Sequence, residues 1–203
     1  MKLVVDTTIA RSAGTKDASN PVASAARDTL LQVRDTSSIY LVWTKDVAAE
    51  WNKHATLIAM QVVADLKSRG RLHHCKPMRH NALRKVIKEV DSGTELMLKD
   101  IFLVEAALET DDRIIALDDQ ARWHFAKLSD AFPLLQRVHW INPVRDDLRS
   151  WIAVGCISNE DCVPPGGVEA RVFLEAVGQV RGAAGKASSL GCSVRSATLA
   201  AAM

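Results

Sequence analysis

Asp6, Glu50, Asp100 and Asp118 are far apart in the chain, and each stands at the edge of an apolar segment. Asp6 closes the run Lys2-Leu3-Val4-Val5, and Asp118 closes Arg113-Ile114-Ile115-Ala116-Leu117. Glu50 and Asp100 lie on or beside stretches with helical patterning. A carboxylate directly after a buried strand is held rigidly at the mouth of a sheet. Several carboxylates held there together repel one another unless a cation neutralises them. Such a set binds Mg²⁺ or Mn²⁺ for chemistry on phosphate esters.

Each acid also has an ordinary reading. Asp6 serves as a loop residue at a strand end, and Glu50 as a solvated helix residue. Asp100 and Asp118 serve as helix N-caps. Their joint order within a strand–helix alternation favours a common site.

A second feature is basic. Between Leu66 and Glu89 there is no acid, while Lys67, Arg69, Arg71, Lys76, Arg79, Arg84, Lys85 and Lys88 all fall there. Cations beside a metal cluster steer a polyanion and offset its charge. Arg69, Arg71, Lys76 and Arg79 are therefore candidate contacts to a phosphate-bearing polyanion, the alternative being a solvated face on a helical hairpin. His73, His74, Cys75 and His80 lack a second ligand pair at zinc-finger spacing. Trp43, Trp51, Trp123, Trp140 and Trp151 fall on apolar elements and read as core. An aspartyl-phosphate mechanism at Asp6 would want an acid two residues on, where Thr8 stands.

The elements that must position these residues alternate between strand and helix. Strands are predicted at 2–5, 39–43, 113–117 and 137–141, each a short apolar run suited to a sheet covered on both faces. Helices are predicted at 22–33, from Lys45 with Thr44 as cap, at 55–66, 82–90, 95–109, 122–128 and 146–154. Residues 7–21 read as a loop and 70–81 as a polar linker. The expected fold is α/β, with a mostly parallel central sheet between layers of helices.

The composition, 48% hydrophobic and 25% charged, is that of a globular chain. It contains no apolar run of membrane-spanning length. The N-terminus enters a strand at once, so no secretory signal and no membrane partner are expected. Four cysteines without a CxxC pair fit free thiols in a cytoplasmic location. A net charge of +2 does not by itself argue for nucleic acid. After about residue 155 the character changes, with Pro164-Pro165-Gly166-Gly167 and then an Ala-, Ser- and Gly-rich stretch. The expected organisation is a domain over 1–155 and a low-complexity extension over 156–203, with one helix near 168–180 and the remainder disordered.

The pieces Val4-Val5-Asp6-Thr7, Glu50-Trp51, Asp100 through Asp118 with Ala106-Ala107, and Trp140-Ile141-Asn142-Pro143 resemble the PIN-domain nuclease family. That family includes the VapC-like toxin ribonucleases. The resemblance covers roughly residues 1–150. It implies an α/β/α fold and a ribonuclease dependent on Mg²⁺ or Mn²⁺, leaving 5′-phosphate and 3′-hydroxyl ends. It further implies that Asp6, Asp100 and Asp118 hold metal, that Glu50 orients the attacking water or a second ion, and that the Thr7 hydroxyl steadies the Asp6 turn. A homodimer and, for a toxin, a small antitoxin protein would be partners. One departure is Ala116, where many members carry Ser or Thr two residues before the last acid. The neighbouring Asp119 is an alternative to Asp118 as the fourth acid. A binding module with a degenerate acidic site is the competing functional class.

Overall fold

The computed structural model describes residues 1–15 and 19–153. The chain divides into two units, Met1–Gly166 and Gly167–Met203. The second unit, the helix expected near 168–180, and Cys156, Cys162 and Cys192 lie outside the described residues. The described part of the first unit is α/β, with five strands forming an all-parallel sheet among eight α-helices. It is compatible with a three-layer α/β/α arrangement.

The strands are β1 (Lys2–Val5), β2 (Tyr40–Trp43), β3 (Leu72–His74), β4 (Arg113–Ile115) and β5 (His139–Ile141), in the spatial order β3-β2-β1-β4-β5. The helices are α1 (Thr7–Ser12), α2 (Pro21–Asp35), α3 (Lys45–His54), α4 (Leu57–Ser68), α5 (Asn81–Lys88), α6 (Thr94–Leu108), α7 (Asp119–Lys127) and α8 (Leu148–Ala153). The central strands read as continuous apolar runs because both faces are covered. Leu3, Val4, Val5, Ile114 and Ile115 are all fully buried, each contributing about 1.5–3 kcal/mol of burial energy.

The order of the strands decides where a site can form. From β1 the chain moves outward to β2 and β3, then returns past β1 to add β4 and β5 on its other side. The direction of winding therefore reverses between β1 and β4. In an open parallel sheet, the crevice at the carboxyl ends of two such strands is where ligands bind. Asp6 follows β1, and its N–H continues the ladder by donating to the Ile115 carbonyl at 2.9 Å. The carboxylate is thereby fixed at the switch point.

Three elements differ from the sequence expectation. Residues 7–12 form the short helix α1 instead of a loop, with Asp6 as its N-cap. Residues 72–74 form β3, a parallel edge strand paired with β2 through Leu41↔Leu72 and Trp43↔His74. Only Leu72 is apolar there, so no hydrophobic period marks it. The third predicted strand stops at Ile115, and Ala116-Leu117 is a connecting loop before Asp118 caps α7. Trp123, read as core, is 41% exposed, and its ring carries the Lys127 ammonium 3.4 Å from the centroid. Among the described residues no helix is long and apolar enough to cross a membrane.

Helix α6 is the buried partner of the central strands. The small pair Ala106-Ala107 is fully buried, which lets the helix approach the sheet closely. Its N-terminus is set by Gly93, in the left-handed region at φ 77° with the His124 ring so near that a Cβ would lie 2.2 Å from Nδ1. Gly93→Ala should cost roughly 2–4 kcal/mol from the backbone conformation and the overlap together. Urea unfolding would measure this, and removing the His124 ring as well should recover only the steric part.

Candidate functional site

Asp6, Glu50, Asp100 and Asp118 come from four separate elements and line one cleft of about 260 Å³, with Thr7, Thr8, Arg11, Lys53, His54, Lys99 and Phe102. Asp6 and Asp118 stand at the ends of the segments leading from β1 and β4. Glu50 projects from α3, and Asp100 lies in the second turn of α6. Asp100 is not a helix cap, since Gly93 holds that position.

Trp51 sets the placement of Glu50. Its ring is fully buried and its Nε1–H donates to the Val5 carbonyl at 3.0 Å. The helix that carries Glu50 is thus tied to the residue preceding Asp6. Glu50 itself is half exposed, with His54 Nε2 at 3.7 Å one turn on.

The Asp6 carboxylate accepts from the Thr8 backbone N–H at 3.2 Å and from the Thr8 hydroxyl. The hydroxyl on Asp6 therefore belongs to Thr8, not to the expected Thr7. A turn that starts a helix presents the N–H and side chain of the second helical residue to its cap. The Thr8 hydroxyl also accepts from the Leu117 N–H at 3.1 Å, joining the Asp6 turn to the loop before Asp118. From the other side the Asn142 amide donates to the Leu117 carbonyl at 3.3 Å. Asn142 is held in turn by Asp146, which accepts from its backbone N–H at 2.9 Å and from Arg122 at 3.0 Å. Thr8, Asn142 and Asp146 are positioning residues that the sequence reading missed. The Asn-Pro turn after β5 was their only local signal.

Asp118 accepts from the Ala121 N–H at 2.9 Å through one oxygen, so it caps α7 while lining the cleft. Asp119 faces elsewhere and pairs with Arg145 at 2.9 Å. Of the two adjacent acids, Asp118 is the one in the cleft. Ala116 is fully buried and its N–H donates to the Ile141 carbonyl at 3.0 Å. The loop support that a hydroxyl at 116 could give comes here from Thr8 and Asn142.

The electrostatics are those of crowded acids. Burial pushes the Asp6 carboxyl up, opposed by hydrogen bonds from Thr8 and Thr7 and reinforced by Asp118. Asp100 is pushed up to about 6, first by burial and then by Asp6, with Asp118 and Glu50 adding and Lys99 opposing. A pocket that penalises its own negative charge favours a cation.

The basic residues chosen from the sequence are not in this cleft. Arg71 is buried, and its guanidinium donates to the carbonyls of Val33, Arg34, Thr36 and Ile39. It closes the C-terminal end of α2 and has no surface to offer RNA. Arg69 pairs with Asp65 at 2.9 Å one turn earlier on the α4 side, lining a groove with residues of α2 and α4. Arg79 lines a separate basic cleft, and Lys76 is exposed on the segment after β3. The cations of the acidic cleft are Arg11, Lys53 and Lys99, all exposed. A signal for them existed. Lys53 and His54 follow Glu50 at helical spacing, and Lys99 adjoins Asp100.

No model of a known protein family and no curated protein matches the chain. Among the described residues no group of three or more His, Cys, Asp or Glu side chains is gathered as a ready-made metal site. Hard oxygen donors on an open cleft still fit Mg²⁺ or Mn²⁺. Mg²⁺ commonly takes one or two carboxylates and keeps several waters. A closed protein cage would not fit.

Thr8→Val keeps the size of the side chain and removes the link between Asp6 and Leu117. Loss of such outer support lowers metal affinity or activity about 10- to 100-fold. Metal titration should detect the loss with the fold intact by circular dichroism.

Proposed function

We propose that the chain is a divalent-metal-dependent ribonuclease with a PIN-like domain over its first 155 residues. The observation that carries this reading is the convergence of Asp6, Glu50, Asp100 and Asp118 on one cleft at the reversal point of a parallel sheet. The carboxyl of Asp100, raised first by burial and then by its acidic neighbours, supports a cation there. The resemblance to PIN nucleases rests on those same residues and on their order.

Asp6, Asp100 and Asp118 would supply carboxylate oxygens to Mg²⁺ or Mn²⁺. When bound, the metal stabilises negative charge developing on the phosphoryl oxygens. Glu50, half exposed on the cleft wall, accepts a hydrogen bond from the attacking water and draws off its proton. The water oxygen bonds to phosphorus as the P–O3′ bond breaks, and the 3′ oxygen takes a proton from solvent. Arg11, Lys53 and Lys99 meet the phosphate and hold it against the acids. Thr8 and Asn142 keep the Asp6 and Asp118 backbones in register. The reading covers both a stand-alone nuclease and a toxin with a small antitoxin partner, and a neighbouring gene for such a protein would distinguish them.

The test is cleavage of a single-stranded RNA by the purified full chain with Mn²⁺ or Mg²⁺, with the product ends identified. Cleavage that depends on metal and is lost in Asp6→Asn supports the reading. Full activity in that variant, free of contaminating nuclease, overturns it. A second reading, a binding module that holds RNA or protein without cutting, is favoured by Ala116. That residue is fully buried and brings no hydroxyl two residues before Asp118.

A further inference from the structure

A second cleft, of about 430 Å³, is lined by Arg79, Asn81, Arg84, Lys85, Lys88 and Leu98. Its character is basic and it contains no carboxylate. Leu98 belongs to α6, and the next residues of that helix, Lys99 and Asp100, line the acidic cleft together with Phe102. The two clefts are therefore lined by neighbouring residues of one helix, α6.

The cations of this second cleft are not equivalent. Arg84 is bound to Glu105 through two hydrogen bonds of 2.9 and 2.7 Å. The same carboxylate accepts from the His80 N–H at 2.9 Å. Buried Glu105 thus fixes the start of α5 and the segment leading into it. Lys85, Lys88 and Arg79 remain exposed, with only a loose contact of 3.9 Å from Lys85 to Glu89. The rigid part is neutralised internally, and the outer charges are left for a partner.

We propose that this basic cleft binds the phosphodiester backbone of single-stranded RNA and leads it across α6 into the acidic cleft. The inference rests on the ribonuclease reading for the direction of the strand. The binding surface itself stands on the second cleft alone. A polyanion fits because Arg79, Lys85 and Lys88 are exposed beside one another, with Lys85 held only by the 3.9 Å contact to Glu89. A single strand fits because adjacent residues of α6, Leu98 and Lys99, line the two clefts, so one flexible backbone can reach both.

The experiment uses the full chain carrying Asp100→Asn, in EDTA so that no cleavage occurs. Its probe is a fluorescein-labelled single-stranded RNA of about twelve nucleotides, followed by anisotropy across a salt series. Adding Lys85→Glu and Lys88→Glu should weaken binding about tenfold or more. The slope of log affinity against log salt should fall by about 1.4, roughly 0.7 for each lost phosphate contact. Arg79→Glu, outside any helix, should weaken binding in the same direction and guards against misfolding of the double variant. Unchanged affinity and slope in both variants would overturn the proposal, as would absence of RNA binding by the parent. Equal binding of a poly-aspartate peptide, lost in the same variants, would overturn the assignment to RNA. If the unsubstituted chain fails to cleave RNA while these variants still lose binding, the ribonuclease reading falls and the basic surface stands.

Discussion

Asp100→Asn should abolish RNA cleavage and, in the absence of metal, stabilise the fold at neutral pH. The two effects have one cause. Asp100 is buried among Asp6, Asp118 and Glu50, and its carboxyl is pushed up from 3.8 to about 6. The folded protein therefore holds that proton more tightly than the unfolded chain does. The group's contribution to stability is fully present below about pH 4 and is lost as pH rises to about 6. Above pH 6 the folded state carries an unfavourable carboxylate. The rise corresponds to about 3 kcal/mol, which water in the open cleft reduces to roughly 1–2 kcal/mol.

Asparagine has nearly the same shape and no charge to repel its neighbours. At pH 7–8 the variant should melt roughly 2–6 °C above the parent, and the difference should vanish near pH 4. Cleavage should fall by about 10³-fold or more, the scale of losing one electrostatic stabiliser of a transition state. Mn²⁺ should raise the melting temperature of the parent and leave the variant nearly unmoved. A variant that is less stable than the parent at neutral pH and still cleaves would contradict both halves.

Arg71→Ala should be among the most damaging single substitutions in the chain, for a reason unrelated to RNA. The buried guanidinium serves four carbonyls, at 3.2 Å for Val33, 2.6 Å for Thr36 and 3.2 Å for Ile39, with Arg34 the fourth. These lie at the C-terminal end of α2 and in the connection to β2, where helix carbonyls lack internal donors. Alanine leaves these acceptors without a donor in a closed space, at a cost of about 3–5 kcal/mol. The melting temperature should drop by on the order of 10 °C. Lysine should rescue poorly, because one ammonium cannot span four acceptors as a planar fork does. The folded fraction should bind RNA as the parent does. A specific loss of RNA affinity with unchanged stability would restore the surface role expected from the basic run.

Arg71 also shows where reading the sequence reaches its limit. A run of cations identifies a charged segment, but burial is a property of what packs over it. Nothing local separates Arg71 from Arg69 two residues earlier. Asp6 and Asp118 were legible because each follows a short apolar strand run, and a parallel sheet places such ends on one side. Glu50 and Asp100 lie within helices α3 and α6, and the resemblance carried them. The resemblance implied Thr7, and the geometry of α1, six residues beginning Thr7-Thr8, turns the Thr8 hydroxyl to Asp6 instead. The edge strand β3 was invisible, being held by backbone pairing to β2 with one apolar side chain. Arg11, Lys53 and Lys99 are scattered singly over three helices, and only the tertiary fold brings them to the same cleft as the acids. The alternative between Asp118 and Asp119 was beyond sequence patterning as well. It is decided by Arg145, which draws Asp119 away.

Calorimetric titration of the full chain with Mn²⁺ at pH 7.5 probes the shared carboxylate pocket most directly. Saturable heat is expected from the parent, with Asp6→Asn and Asp100→Asn each losing most of it while remaining folded. Absence of saturable heat in the parent, or equal binding by both variants, would contradict the assignment of this cleft to a divalent cation.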